Sequence, residues 1–252
     1  MKKHISVFGL FLQSSLLPIL GIILLMGATE LLFFHREIQS ALTAYEADIG
    51  TGFVPLERML DKSAVNVWFA LAFVLITVLL CLPGCEFRIK TGYTLRRLSV
   101  GDNAILLWQF LYNTLIYLLL GAVQTIFAYG LCQYYLAAAP QEMISNQTLF
   151  LTFYRSELLH TLLPLSDILL WVRNLLLALS LGLAAAMFPY KQRHGRYSGS
   201  IIALVAFGIV FFERRIGTFS HTAVVACICL MVACEWVSFA LTQNHEEVEE
   251  DA

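Results

Sequence analysis

The sequence predicts an all-α membrane protein with six transmembrane helices and both its N-terminus and C-terminus cytoplasmic. Three observations lead there. The chain is 59% hydrophobic and 13% charged, with a mean hydropathy of +0.74. Soluble domains carry about 25% charged residues, and 252 residues cannot enclose this much apolar surface, so the solvent must be lipid. The apolar residues gather into six runs, near 11–34, 65–85, 105–136, 165–188, 199–212 and 223–241. Lysine and arginine are biased toward the segments that this topology places inside.

The first run follows Lys2 and Lys3, as a signal peptide would. It is long, and no small-residue cleavage site follows Phe34, so it reads as a retained span. The outer segment 35–64 comes next. Ile38, Leu42, Tyr45 and Ile49 recur at helical spacing, and Gly50, Gly52 and Pro55 then mark a turn. This pattern predicts an amphipathic helix lying on the outer lipid surface, with a substrate gate as the alternative.

The third run is longer than a bilayer requires. As one helix over 104–139 it would reach about 54 Å against a hydrocarbon core of about 30 Å. It must protrude, tilt or break, with Gly121 and Gly130 as the places for a break. The outer segment 140–164 contains Asn146-Gln147-Thr148, a tripeptide of N-glycosylation form that is common by chance. Ala178, Gly182 and Ala186 form a small-residue stripe in the fourth run, suited to close helix contact within the subunit or against a second copy. The fifth run is short and crosses only with little tilt and with Arg214 and Arg215 snorkelling at its end.

Counting gives nine basic residues on the inner segments (Lys2, Lys3, Arg88, Lys90, Arg96, Arg97, Lys191, Arg193, Arg196) against six outside, with Arg173 inside a span. The acidic tail within 242–252 is then cytoplasmic, and residues 1–252 form one transmembrane domain. The net charge of −2 gives no reason to expect a nucleic-acid partner. The six cysteines lie in or beside apolar runs and read as reduced packing residues.

No catalytic site is expected. The sequence has no His-Glu-x-x-His, no Gly-x-Ser-x-Gly and no phosphate loop ending in Gly-Lys-Ser/Thr. The histidines share no metal-ligand spacing, so no metal or cofactor is expected. Any ATP-driven work must come from another chain that binds the nucleotide. Charges inside spans are costly and mark candidate sites; here they are Glu30, Arg173 and Glu235. Glu30 and Arg173 both lie near the outer ends of their spans, which predicts an ion pair between them, with Arg173 snorkelling alone or lining a wet path as the alternative.

The segment 86–103 is basic and amphipathic beyond what a simple connector needs. Thr91 can cap a short helix over 92–98. Phe87, Thr91, Leu95 and Leu98 fall on one side of it, and Arg88, Arg96 and Arg97 mostly on the other. Ser99-Val100-Gly101-Asp102 has capping-box form and would open the third span. A basic loop of this kind could also simply hold anionic lipid on the inner leaflet.

Glu86, then Gly92-Tyr93-Thr94-Leu95, then Leu98-Ser99-Val100 and a span resembles the first inner loop of type-2 ABC exporter permeases. The loop departs from that pattern where Tyr93 separates Gly92 from Thr94, where Arg96 stands in place of a common acid, and where Ser99 replaces a proline. The resemblance implies a type-2 ABC exporter-like fold in the bacterial cytoplasmic membrane. Its partners would be a separate ABC-type ATPase, a second permease copy or related permease, and membrane lipid. It also implies that Glu86, Phe87, Thr91, Gly92, Tyr93, Thr94, Leu95, Arg96, Leu98, Ser99 and Val100 form the ATPase-coupling surface. The alternatives are an ion-coupled secondary transporter and a non-transporting immunity or sensor subunit.

The orientation is directly testable. In a cysteine-free background, Ser99→Cys and Ser198→Cys should resist an impermeant thiol reagent in intact cells, and Ser40→Cys and Ser145→Cys should react. Outside labelling at position 99 would invert the topology.

Overall fold

The computed structural model describes residues 2–47, 53–83, 101–140, 142, 144–145, 147–165, 167–193, 199–213, 222–234 and 236–237. Among these there is no strand. The helices are α1 (Lys2–Glu46), α2 (Leu56–Lys62), α3 (Val65–Cys81), α4 (Asp102–Ala138), α5 (Thr148–Arg155), α6 (Glu157–Leu162), α7 (Ile168–Arg193), α8 (Ser200–Glu213) and a last apolar helix, α9 (Thr222–Cys234). Three of them, α1, α4 and α7, are each long and apolar enough to cross a bilayer, and the pair α2–α3, bent by 49°, is a fourth candidate. With leucines such as Leu17, Leu24 and Leu32 largely exposed on α1, the outer faces suit hydrocarbon rather than water. The chain therefore has the build of a multi-pass membrane protein.

Side-chain pairs set the directions of the helices. Phe8 meets Trp108, Ser15 meets Tyr112, Glu30 meets Gln124 and His35 meets Tyr134, so α1 and α4 run parallel. Against α4, α3 is antiparallel through Tyr117–Thr77 and Gln109–Pro83, and α7 is antiparallel through Asn103–Tyr190 and Asn113–Gly182. Parallel first and third long helices, with antiparallel partners between and after them, are what an up-and-down crossing produces. The end of the bundle holding Val7, Asn103 and Tyr190 is called the near end here.

Two expectations about helix limits are corrected. The segment after Phe34 is not a separate helix on the lipid surface: α1 continues through it to Glu46, forty-five residues or about 68 Å in all. Nothing between Phe34 and Glu46 breaks a helix, and the apolar periodicity turns inward onto protein. Ile38 is fully buried, Tyr45 packs edge-on against Phe53, and Phe53 packs on Tyr135, whose hydroxyl donates to the Val54 carbonyl. Gly50 and Gly52 lie outside the described residues. The helix also passes through Pro18 without interruption, where the hydroxyls of Ser14 and Ser15 both fold back onto the Phe11 carbonyl.

The third run does not break either. α4 is continuous over thirty-seven residues, about 56 Å, passing Gly121 and Gly130. It protrudes instead, together with α1, beyond the far end. There α2, α5 and α6 form a small cap around Leu56, Met59, Phe153 and Leu159, and Arg155 bonds Glu57 across it at 3.3 Å. The start of α4 also differs from expectation. Its N-cap is Gly101 with no side-chain hydrogen bond, two residues past the Ser99 that a capping box would use, and the Gly101 carbonyl takes the first helical bonds. α7 extends to Arg193, so the basic segment predicted to begin at Tyr190 is still helical for its first residues. Asn146, Arg214, Arg215 and the acidic tail lie outside the described residues.

α8 and α9 are apolar but shorter than a full span. Phe212 reaches Phe69, and Thr222 donates to the Leu169 carbonyl, both on the far side; Trp236 packs at the near end against Leu106, Met187 and Tyr190. The small-residue stripe on α7 serves the interior of the subunit. Ala178 and Ala186 are buried, and Gly182 meets the backbone of Thr114, where a Cβ would lie 2.9 Å from the Thr114 nitrogen.

That contact makes a prediction. Gly182→Ala should cost about 1–3 kcal/mol, because the added carbon meets the Thr114 hydroxyl and, behind it, the Thr114 backbone, which cannot turn aside as a side chain can. Gly130→Ala, with nothing within 4 Å of the added carbon, should be neutral or stabilising. Thermal midpoints in detergent separate the two, and equal midpoints would contradict the close α4–α7 approach.

Candidate functional site

The residues expected to couple to an ATPase, Glu86, Phe87, Thr91, Gly92, Tyr93, Thr94, Leu95, Arg96, Leu98, Ser99 and Val100, lie outside the described residues. Their anchors are described. Pro83 follows α3 and accepts a hydrogen bond at 3.2 Å from the Gln109 amide, one turn and more inside α4. Gly101 opens α4. Both anchors sit at the near end, beside the first turns of α1, the last turns of α7 and Trp236.

The intramembrane charges do not form the expected pair. Arg173 is buried on α7 and donates to the Asn174 side-chain oxygen, from Nη2 at 2.9 Å and from Nε at 3.3 Å. Asn174 in turn donates to the Thr161 carbonyl at 2.6 Å, tying the guanidinium to the α6 side of the bundle. Glu30 is fully buried on the other side of α4, where it accepts from the Gln124 amide at 2.9 Å. Similar depth was a poor guide because it ignores which helix stands between. Glu235 lies outside the described residues.

Glu30 and Gln124 have one further property. Oε2 of Glu30 and Oε1 of Gln124 are both buried without a hydrogen-bond partner. Two orphaned acceptors next to one made bond is costly in a low-dielectric interior. One proton shared between those two oxygens would close a two-bond ring of acid and amide.

The pair belongs to a longer polar seam on α4. Gln109, Asn113, Tyr117 and Gln124 follow one another at spacings of four, four and seven residues, the one- and two-turn repeats of a helix, and all are buried. Gln109 bonds the Pro83 carbonyl, Asn113 the Gly182 carbonyl at 3.4 Å, Tyr117 the Thr77 hydroxyl at 3.0 Å and Gln124 Glu30. Tyr112 adds a 2.7 Å bond to Ser15 on the α1 side. The amides of Gln109, Asn113 and Gln124 are joined in this seam by Tyr112, Tyr117, Thr77 and Ser15, none of which was expected to belong to a site. Their signal was the i, i+4 recurrence of hydrogen-bonding side chains along one face of an otherwise apolar run.

Beside the seam, α3, α4, α7 and α8 enclose a cavity of about 680 Å³. Its inner wall includes Phe73, Tyr117, Leu120, Leu177 and Leu181, all buried. Gly121 leaves room there, since the nearest atom to a Cβ at that position is 4.0 Å away. Among the described residues no three histidine, cysteine, aspartate or glutamate side chains converge as metal ligands would, and the described cysteines form no disulfide.

No protein family, curated relative or solved structure matches this chain.

The hydrogen bonding of Glu30 predicts that shape matters more than charge there. Glu30→Gln keeps a donor and an acceptor facing Gln124 and should hold stability near that of the parent. Glu30→Ala strands the amide and should cost about 1–3 kcal/mol. Because Arg173 has other partners, Arg173→Ala should add to Glu30→Ala rather than rescue it. Thermal midpoints of the single and double variants read this out. A glutamine variant as unstable as the alanine one would show that the carboxylate charge is needed.

Proposed function

We propose that this chain is the membrane-spanning permease subunit of an ATP-driven exporter of ABC type. It has six spans, with the fifth and sixth formed by α8 and α9, and it sits in a bacterial cytoplasmic membrane. It pairs with a second copy or a related permease, and a separate ATPase binds and hydrolyses ATP. The chain itself does no bond chemistry and holds no cofactor; its task is to provide a path and a lever.

The observation that supports this most is the gathering of the near end. The N-terminal turns of α1, both anchors of the 84–100 connector, the last turns of α7 and Trp236 lie together. A partner docked against the connector would meet all of these at once. The connector also leads into Gly101 and directly into α4, the helix to which α1, α3 and α7 are hydrogen-bonded. A push on residues 92–100 would therefore act on the central helix rather than on a peripheral one.

The buried carboxyl of Glu30 is the observation that favours the other reading, an ion-coupled transporter. Against it, Glu30 faces a neutral amide rather than a second charged group. A non-transporting immunity or sensor subunit would share the fold and differ in behaviour: its ATPase partner would bind without driving movement of any cargo.

The test is on the lever. Leu95→Asp and Leu98→Asp place a carboxylate on the apolar side of the short helix, where burial against a partner would leave it unpaired. Both should release the ATPase or abolish ATP-driven transport, with thermal stability unchanged. Liposome binding measured in parallel separates loss of the partner from loss of lipid contact. Variants that still copurify with the ATPase and still transport would remove the coupling role from this loop.

A further inference from the structure

We infer that the cavity between α3, α4, α7 and α8 is a binding site for one lipid acyl chain, taken laterally from the leaflet at the far end of the bundle. This goes beyond the exporter reading and does not depend on it, since it requires only that the helices stand in a bilayer.

The chemistry of the walls defines the occupant. Most of the lining is aliphatic or aromatic, and four of its side chains carry polar atoms with bonds of their own. The Tyr117 hydroxyl donates to Thr77, and the Thr125 hydroxyl donates to the Gly121 carbonyl. The Trp171 ring nitrogen donates to the Pro164 carbonyl, and Asn174 is held between Arg173 and the Thr161 carbonyl. A polar or charged guest would shed its water and find these groups already engaged. Water itself needs two to four polar partners to stay in such a space. A hydrocarbon chain asks for none, and filling the space recovers dispersion contacts that a void forfeits.

Place and size agree with that occupant. The lining runs from Tyr117 to Ile126 on α4 and from Trp171 to Leu181 on α7. Ten residues of α7 rise about 15 Å, the depth of one leaflet of a bilayer whose core is about 30 Å thick. The stretch lies toward the far end, since Trp171 is near the start of α7, opposite the Tyr190 end. The cavity opens sideways. Leu118, Ile126, Trp171, Val172 and Leu175 line it and are also exposed on the face that hydrocarbon would cover. At about 680 Å³ it is comparable with pockets that hold single small molecules.

The experiment uses the full chain in nanodiscs containing phosphatidylcholine with a photoactivatable diazirine near the end of one acyl chain. Crosslinked peptides are located by mass spectrometry. The expected result is label on the buried wall, at Leu120, Leu177 or Leu181, as well as on the exposed leucines of α1. Gly121→Leu and Ala122→Phe fill the cavity from two neighbouring positions, one where an added Cβ makes only an ordinary contact with the Leu162 side chain at 4.0 Å and the other exposed, so both should fold. Each should lower wall labelling about tenfold, leave α1 labelling unchanged and keep or raise the thermal midpoint. Wall labelling that persists in both variants would overturn the site. So would a wall that stays unlabelled in the parent protein while α1 is labelled, since the cavity would then be closed by the chain itself or by a second copy.

Discussion

In hydrocarbon a polar side chain has no water to turn to, and this constraint on α4 orders the whole bundle. Gln109, Asn113, Tyr117 and Gln124 are all buried on one helix, and each reaches a different neighbour: the end of α3, the backbone of α7, Thr77 of α3 and Glu30 of α1. An unmet amide at this depth costs more than most single packing contacts contribute. The four bonds therefore act as registration pins. They fix not only which helices surround α4 but how far each has slid along it, which dispersion between leucines would leave loosely defined.

The α4–α7 contact shows packing and polarity working together. The Asn113 amide can reach the Gly182 carbonyl only because Gly182 has no Cβ and lets the Thr114 backbone approach. A glycine in a helix interior costs roughly 0.5–1 kcal/mol relative to alanine, and here that cost is offset by a hydrogen bond and by close backbone approach. The same trade does not hold at Gly130, which has open space beside it, or at Gly121, where a Cβ would make only an ordinary contact with Leu162, and α4 continues through both. Glycines that look alike in sequence thus play opposite parts. One is a contact surface, and another is a gap that helps to make the cavity.

Much of the architecture was legible in the sequence because hydrophobic run length and charge bias respond to the bilayer directly. The helical fold, the positions of the long runs and their alternating direction follow from those signals. Helix ends were less legible. Runs of hydropathy stop where the membrane stops, whereas α1 and α4 keep going as helices because nothing in 35–46 or 127–138 breaks them and because Ile38 and Tyr135 find protein to pack on. Partner choice was less legible still. Glu30 and Arg173 have opposite charge and similar depth, yet depth is one coordinate out of three. Gln124 and Asn174 were within reach, and both charged groups turned to them. The cavity could not be read from sequence at all, since it depends on where four helices fail to fill the space between them.

These features bear on how motion could cross the molecule if the near end is where a partner docks. α1 and α4 run parallel and are joined at several heights, through Tyr112–Ser15, Gln124–Glu30 and Tyr134–His35. Phe127 closes against the Gly27 backbone between them, with a Cβ there meeting the ring at 2.6 Å. Two long helices fastened in this way move as one body. A displacement entering at Gly101 would reach the cap at the far end with little lost to bending. The opposite side of α4 is different. There the cavity separates part of α4 from α3, α7 and α8, and a Cβ at Gly208 would meet the Phe73 ring at 3.1 Å. Relative movement there is limited to the stretch around the cavity, since the Asn113–Gly182 and Tyr117–Thr77 bonds hold α7 and α3 to α4. A hydrocarbon chain in the intervening space could deform as that gap changed, which a rigid side-chain filling could not do. On this view the hydrogen-bonded seam and the cavity that Tyr117 borders belong to one design: the first carries a movement, and the second gives it room.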